Sequence, residues 1–435
     1  MLNNIGGQMR NMLRGILVAV ILQTGLGVAA AATIEEVATD ISPAFIGPSN
    51  RLWAVKKTSP TDPTFRVVYS TDNAATWVNF GSPLPTDITE VPSSIFVHSS
   101  GSVFVAEAPK ACSGARIFRM DTGGQLSVIR NLDVTATVLP WGWTEDGAQN
   151  LYAAQYGVRI DAPCATGHPV NVSYVLKIAE PSGVPSGTAG TTSSWSWPNC
   201  GTSPQDCFAA WIAPVGAASD LHIHNLRFDP NRSTFVINSG DSPRATMTWN
   251  GNLATTPSLL PNCCSDGFLL TGFTGSAPMS DALYVGDDWT ANPGGRGNSI
   301  RKLLWSGSNL VPPANRSASI VYTMQNSFDT PIWDVHSSSD LELWFVNYDE
   351  ATASEPAVRL SGLHVLRRTV PSYPNFATPA ITVASAQSSW RNFRYIAADR
   401  FSQIPGDMPY IFVQALHDDP NPANRYTVLM RISRN

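Results

Sequence analysis

One short pattern recurs along this chain: an apolar segment, a polar turn, and a second segment rich in β-branched and aromatic residues. Seven copies are present, and they begin at Ala44, Ser94, Trp141, His224, Thr271, Ile332 and Phe393. Two such segments around a turn predict a β-hairpin, and each copy is followed by material for outer strands. Repetition at spacings of roughly 50 to 80 residues indicates units that pack on their neighbours.

Seven four-stranded units predict an all-β protein, a seven-bladed β-propeller; a six-bladed ring with one decorated blade is the alternative. After the seventh copy only YTVLMRIS remains, so that blade lacks one strand. The segment TIEEVA, from Thr33, is the candidate that completes it and closes the ring. The composition suits many turns and short strands, because 33 Pro and 32 Gly accompany only 14% charged residues.

The first residues have the pattern of a secretory signal. Arg10 and Arg14 precede an apolar stretch over residues 15–28, and a run of alanines ends at Ala32. We predict a signal peptide over residues 1–32 and a single propeller domain over 33–435. A membrane anchor is the alternative, but the stretch falls short of the roughly 20 residues that a spanning helix needs. The protein is therefore expected to be secreted or periplasmic, with no membrane association after cleavage.

Charge excludes one class of partner. The net charge is −5, and no block of Lys or Arg offers the basic surface that nucleic acid binding requires. We expect a monomer.

Six cysteines are present, an even number that predicts disulfides in an exported chain. Cys200 and Cys207 are close enough to form a short loop, and Cys263 lies beside Cys264, which leaves Cys112 with Cys164. Other pairings remain open.

The first unit contains Ser70-Thr71-Asp72-Asn73-Ala74-Ala75-Thr76-Trp77 between its two outer strands. This segment resembles the Asp-box of the sialidase-like (BNR) propellers, with Ala74 in place of the usual glycine. The segments LYAAQYG and HIHNLRFDPNRSTFVINSGDS are also similar to stretches of BNR-type propellers. The resemblance implies a protein that binds or cleaves carbohydrate. The Phe-Arg-Ile-Pro segment of true sialidases is absent from the sequence, which disfavours hydrolysis of sialic acid.

In a propeller the innermost strand of each blade runs along the axis and the second strand returns. First-strand starts and second-strand ends therefore share one rim, here called the upper rim; the opposite rim is the lower rim. Polar and aromatic side chains are predicted to gather on the upper rim, as sugar binding requires. The predicted substrate-binding residues are Glu107, Gln155, Asp288, Trp289, Asn347 and His417.

Two chemistries suit this rim. Elimination from a uronate needs a base and a group that neutralises the carboxylate, for which His222, Tyr156 and Arg159 are the candidates. Glycoside hydrolysis needs two facing carboxylates, and Glu107, Asp241 and Asp288 are the candidates. His222, Tyr156, Arg159 and Asp241 are the predicted catalytic residues.

His222 and His224 alternate along one predicted strand, and this spacing directs both imidazoles to one side. The pair is similar to the H-x-H contribution to a metal site in oligogalacturonate lyases, so a divalent metal ion is one interpretation. A hydrogen-bonded pair without metal is the other, and no further cofactor is predicted.

The sequence as a whole favours a carbohydrate-active enzyme, a lyase or a glycoside hydrolase, that acts on a polysaccharide or glycan. A non-catalytic glycan-binding or scaffold propeller is the main alternative, and an exo-sialidase is a third.

Overall fold

The computed structural model describes residues 32–59, 62–110, 114–134, 136–157, 175–178, 192–194, 223–239, 245–252, 255, 257–260, 273–288, 298–314, 317–324, 331–347, 361–369, 376–385, 392–417 and 426–434. Within these ranges the regular structure is all β. The helical geometry within the described residues is single 3-10 turns at Pro48–Asn50, Pro140–Gly142 and Ser317–Ser319.

The first three blades are antiparallel sheets of four strands each. Blade one contains β2 (Phe45–Ile46), β3 (Leu52–Lys57), β4 (Phe65–Ser70) and β5 (Val78–Phe80). Blade two contains β6 (Ser94–Val97), β7 (Val103–Ala106), β8 (Gly114–Met120) and β9 (Leu126–Val134). Blade three contains β11 (Trp143–Glu145), β12 (Leu151–Ala154), β14 (Val175–Ile178) and β15 (Thr192–Ser194). Beside it, β10 (Ala136–Thr137) pairs with β13 (Tyr156–Gly157).

Blades four to six continue the same order. Blade four contains β16 (Ile223–Asp229), β17 (Thr234–Ser239), β18 (Ala245–Trp249) and β19 (Ser258–Leu259). Blade five contains β20 (Phe273–Pro278), β21 (Leu283–Asp287), β22 (Ser299–Ser306), β23 (Asn309–Val311) and β24 (Ile320–Thr323). Blade six contains β25 (Ile332–Ser338), β26 (Glu342–Asn347), β27 (Gly362–Arg367) and β28 (Ala377–Ser385).

Blade seven is built from both ends of the described chain. It contains β29 (Asn392–Ile396), β30 (Tyr410–His417), β31 (Tyr426–Ser433) and β1 (Ile34–Thr39). β1 is the outermost strand and runs antiparallel to β31, with Ile34 opposite Ile432 and Thr39 opposite Val428. The seven sheets confirm the predicted seven-bladed propeller and exclude the six-bladed alternative.

Blade five differs from the expected four strands. After Ser306 the chain turns back as β23 and pairs with the last residues of β22, and β24 pairs with its first residues. The turn at Gly307 has φ of 63°, which a glycine adopts without strain. β22 therefore pairs with β21 on one edge and with both β23 and β24 on the other.

Packing between blades explains why the inner strands are apolar on both faces. β7, β12 and β17 are buried along their whole length, whereas β5 is mostly exposed. A sheet covered by neighbours on both sides favours continuous apolar runs over strict alternation. Apolar clusters join consecutive blades, and one of them brings Trp344 of blade six, Ile411 of blade seven and Leu52 of blade one together.

The Asp-box hairpin of blade one has the hydrogen bonds that the motif predicts. Ser70 Oγ donates to Asp72 Oδ1 (2.7 Å) and accepts from Ala74 N (2.9 Å). Asp72 accepts from Thr76 N (2.9 Å) and from Thr76 Oγ1 (2.6 Å), and hydrogen bonds from Thr76 lower the pKa of Asp72 to about 2. Trp77 packs against the cluster between blades seven and one. The motif is structural.

A loop between β29 and β30 covers the lower end of the channel. Arg400 Nη1 lies 2.9 Å from Glu145 Oε1 of blade three, and Ile404 N donates to Ser337 O of blade six (2.8 Å). Ser402, with φ of 63°, has its Oγ 2.7 Å from His336 Nδ1. The loop over residues 397–409, called the axial loop below, thus links several blades at the lower rim.

All six cysteines lie outside the described residues. The pairing of Cys200 with Cys207 stays a prediction, as does the signal peptide over residues 1–32.

Candidate functional site

An aromatic cluster occupies the axis at the upper rim. The indole of Trp141 lies at its centre, with ring centroids 4.8 Å from Trp333 and 5.3 Å from Tyr395. Tyr156 (6.4 Å) and His224 (6.3 Å) complete the set. Blades three, four, six and seven each contribute a ring, and these five residues are called the axial cluster. Trp141 is fully buried, whereas Tyr156 and Trp333 are partly exposed.

Local backbone features direct these rings to the axis. Trp141 lies in the 3-10 turn before β11, where a Cβ on Gly142 would lie 2.8 Å from Ala154 O. Only glycine allows this close approach. His224 and Trp333 each lie at a register shift near the start of an innermost strand. Such bulges turn side chains away from the regular alternation.

Tyr156 and His224 of the axial cluster lie in line with Asp288. The Tyr156 ring stacks on the His224 imidazole, with centroids 6.1 Å apart and planes inclined by 23°. His224 Nδ1 lies 3.5 Å from Asp288 Oδ2, and both residues are buried. Tyr156 sits on β13 opposite Thr137, so its ring is held by a short β-ribbon. A half-buried phenol therefore rests on an imidazole that faces a carboxylate.

Glu107 is on the upper rim but apart from the axial cluster. Arg116 Nη2 lies 2.6 Å and Lys110 Nζ 2.9 Å from Glu107 Oε1. Burial raises the pKa of Glu107, but hydrogen bonds from Arg116 and Lys110 outweigh it and leave the pKa below its ordinary value. A cavity of about 190 Å³ lies beside this carboxylate, between residues 88–90 and 107–110. Glu107 is held ionised, which is unsuited to a general acid.

The other predicted substrate-binding residues are dispersed around the ring. Asn347 is buried in blade six, where its Oδ1 lies 2.7 Å from His364 Nε2. His417 stacks on Tyr426 in blade seven, with ring centroids 4.4 Å apart. Gln155 is fully buried next to Tyr156. Of the predicted residues, the structure brings together Tyr156, His224 and Asp288.

Four predicted site residues, His222, Arg159, Asp241 and Trp289, lie outside the described residues. The alternation of His222 with His224 therefore stays a prediction. Among the residues that the structure describes, no group of three or more His, Cys, Asp or Glu side chains is arranged to hold a metal ion.

Sequence reasoning missed Trp141, Trp333 and Tyr395. For Trp141 and Trp333 the signal was present, because both lie where a first strand begins, which is the rule that placed the other residues on the upper rim; Tyr395 lies near the end of β29 and carried no such signal. Their large apolar rings had the pattern of ordinary blade packing.

The strand order defines this protein as a seven-bladed β-propeller with an aromatic cluster and a histidine–carboxylate pair at the upper end of its axis. No helix in the described ranges is long and apolar enough to cross a membrane. No protein-family model matches the sequence, and no curated protein matches it.

Solved propellers are similar in outline. The β-propeller domain of the trilobed protease from Pyrococcus furiosus is 7% identical, with a TM-score of 0.45 over 92% of this chain and 95% of that one. A polysaccharide lyase of family PL25, an ulvan lyase, is 11% identical, with a TM-score of 0.46 over 88% and 91%. The periplasmic gluconolactonase of Pseudomonas aeruginosa is 12% identical, with a TM-score of 0.45 over 90% and 95%. Their activities differ from one another, so they do not assign one to this chain.

Proposed function

We propose that this protein is a carbohydrate-active enzyme that cleaves a uronate-containing polysaccharide by β-elimination at the upper rim. The observation that carries the proposal is the half-buried Tyr156 ring, stacked on His224 with Asp288 behind it. Tyrosine and histidine are both able to transfer protons, and aromatic faces around them suit a sugar ring.

In this reaction a base removes the proton at C5 of the uronate, the C4–O bond breaks, and a double bond forms between C4 and C5. The leaving oxygen takes a proton. Tyr156 is the residue that reaches the substrate and donates this proton, because it is the partly exposed member of the trio. His224, oriented by Asp288, holds the phenol in place. The assignment of His222 as the base and of Arg159 as the group that neutralises the carboxylate belongs to the proposal.

Elimination is preferred to glycoside hydrolysis because of the carboxylates. Hydrolysis requires one carboxyl group that stays protonated and a second that faces it across the bond. Glu107 is paired with Arg116 and Lys110, and Asp288 faces His224. Neither has the surroundings of a free acid, and Asp287 is likewise occupied by a two-point contact with Arg301.

Replacement of Tyr156 by Phe tests the proposal. Uronic acid polymers are screened with the purified protein, and product is followed by the ultraviolet absorbance of the new double bond. Tyr156→Phe removes the transferable proton but keeps the ring, so turnover should fall at least about a hundredfold with little change in thermal stability. Tyr410→Phe is the matched control, because Tyr410 begins β30 at the lower rim and should not affect turnover.

Two results would contradict the assignment. Unchanged turnover in Tyr156→Phe would place the chemistry elsewhere. A native protein that cleaves none of the polymers would refute the lyase, and retention of a polymer in affinity electrophoresis would then identify a binding module.

A further inference from the structure

A buried arginine occupies the channel beneath the axial cluster. Arg227 lies three residues beyond His224 on β16, roughly 10 Å further from the upper rim. Its side chain is only 6% exposed. Nη1 lies 3.4 Å from Trp143 O of blade three, and Nη2 lies 3.9 Å from Asp334 Oδ1 of blade six. The guanidinium therefore reaches across the axis between blades.

The contacts of Arg227 are too few for a buried guanidinium. A guanidinium carries five N–H donors, and Nε has no hydrogen-bond partner among the described residues. Burial lowers the pKa of Arg227 to about 10, which shows that its neighbours compensate the desolvated charge incompletely. Buried charges normally have close partners, so this guanidinium requires a further one.

Asp334 is not that partner, because its oxygens are engaged elsewhere. Oδ1 accepts from Val335 N (3.1 Å), and Oδ2 accepts from Ile396 N (3.0 Å). Oδ2 also lies 2.9 Å from His336 Nε2, a full ångström closer than any contact with Arg227.

Unsatisfied donors continue along the same face. Asn225 lies two residues before Arg227 on β16, so the two side chains point to one side, about 6 to 7 Å apart. Asn225 is fully buried, and its Oδ1 accepts from Ser276 Oγ (2.5 Å). Its Nδ2 has no hydrogen-bond partner in the described part of the chain, and neither has Nε1 of Trp141 in the axial cluster. The unmet groups are N–H donors, so the missing partner accepts hydrogen bonds.

Arg227 lies between the axial cluster and the axial loop. It is on the same strand as His224 of the cluster, and the charge of Asp399 on the axial loop acts on its guanidinium. We propose that the propeller axis holds a small anion, of the size of chloride, bound by the guanidinium of Arg227 and the amide of Asn225. The ion neutralises the buried guanidinium and thereby stabilises the contact between blades three, four and six.

Two acidic groups face the same guanidinium. Asp334 is turned towards His336 and the backbone, as described above. Burial raises the pKa of Asp399 on the axial loop, so this carboxyl group opposes a bound anion less than an exposed carboxylate would. Asp399 Oδ1 also accepts from Phe401 N (2.8 Å) and Gln403 N (2.9 Å).

Halide binding is tested by diffraction and by thermal unfolding. Crystals grown in sodium bromide should show an anomalous peak within hydrogen-bonding distance of Arg227. In solution, replacing sodium methanesulfonate by sodium chloride at constant ionic strength should raise the midpoint of thermal unfolding by a few degrees, because the ion binds only the folded state.

Arg227→Met should abolish this chloride response. Arg301→Lys is the matched control: Arg301 is equally buried but has a two-point contact with Asp287, so its variant should be less stable yet keep the response. An ordered water without anomalous signal at Arg227, or an undiminished chloride response in Arg227→Met, would overturn the proposal. If Arg227→Met does not fold, the bromide map decides.

Discussion

At the scale of single residues, His364 shows how a buried polar group is satisfied inside a blade. Its Nε2 lies 2.7 Å from Asn347 Oδ1 and its Nδ1 3.2 Å from Thr382 Oγ1, and its ring stacks on Phe345. Burial lowers the pKa of His364 to about 4. The imidazole is therefore neutral in the folded protein at neutral pH, and Asn347 is its hydrogen-bond partner within the blade.

This histidine predicts a pH dependence of stability. The unfolded state has the ordinary pKa of about 6.5 and binds the proton first as the pH falls, so protonation favours unfolding. The contribution of neutral His364 is complete above about pH 6.5 and is lost as the pH falls towards 4, a change of about 3 kcal/mol. Urea unfolding of native protein and His364→Gln between pH 4 and 7 measures it. The variant should show the shallower dependence, and equal slopes would refute the prediction.

At the scale of elements, β1 completes blade seven. Ile34 and Ala38 face the apolar cluster between blades six, seven and one, whereas Glu35 points outwards and pairs with Arg431 (2.5 Å). Thr33 N donates to Ser433 Oγ (2.8 Å), and Ser433 N donates to Thr33 O (3.0 Å). The strand is thus anchored by its apolar face and by its ladder.

Substitutions on the two faces of β1 should have unequal effects. Ile34→Ala removes buried methyl groups and should lower the free energy of unfolding by about 2 to 4 kcal/mol. Glu35→Ala, on the adjacent outward position, removes a surface ion pair and should lower it by less than about 1 kcal/mol. Urea unfolding curves compare them. Equal losses would mean that β1 contributes no packing to the ring.

At the scale of the whole molecule, the two ends of the described chain meet in one blade, so an N-terminal cut must leave β1 intact. Cleavage after Ala32 would do so, because β1 begins at Ile34. We propose that the protein is exported as a monomer without residues 1–32. Expression of the full chain in an exporting host, followed by N-terminal sequencing of the exported protein, should yield Thr33 as the first residue. Retention of residues 1–32 in that protein would contradict the proposal.

Local interactions explain what could be predicted from the sequence. Each hairpin joins strands that are adjacent in the chain, so alternating apolar segments and turns were sufficient to count seven blades. The Asp-box lies within residues 70–76, and each of its hydrogen bonds connects residues at most four positions apart. The rule that first-strand starts and second-strand ends share a rim placed Tyr156, His224 and Asp288 on one side of the molecule.

Only the tertiary structure decided which of those residues meet. Trp141 comes from blade three, far along the chain from Trp333 and Tyr395 of blades six and seven, and the directions of these side chains depend on a tight glycine turn and on bulges that leave no periodic signal. The approach of Arg227 to Asp334 also depends on the tertiary structure, as does the ion pair between Arg400 of the axial loop and Glu145 of blade three. Periodicity determines the face and rim of a strand residue, because it follows from backbone geometry. The meeting of side chains at an axis depends on the closure of the whole ring, which no local segment encodes.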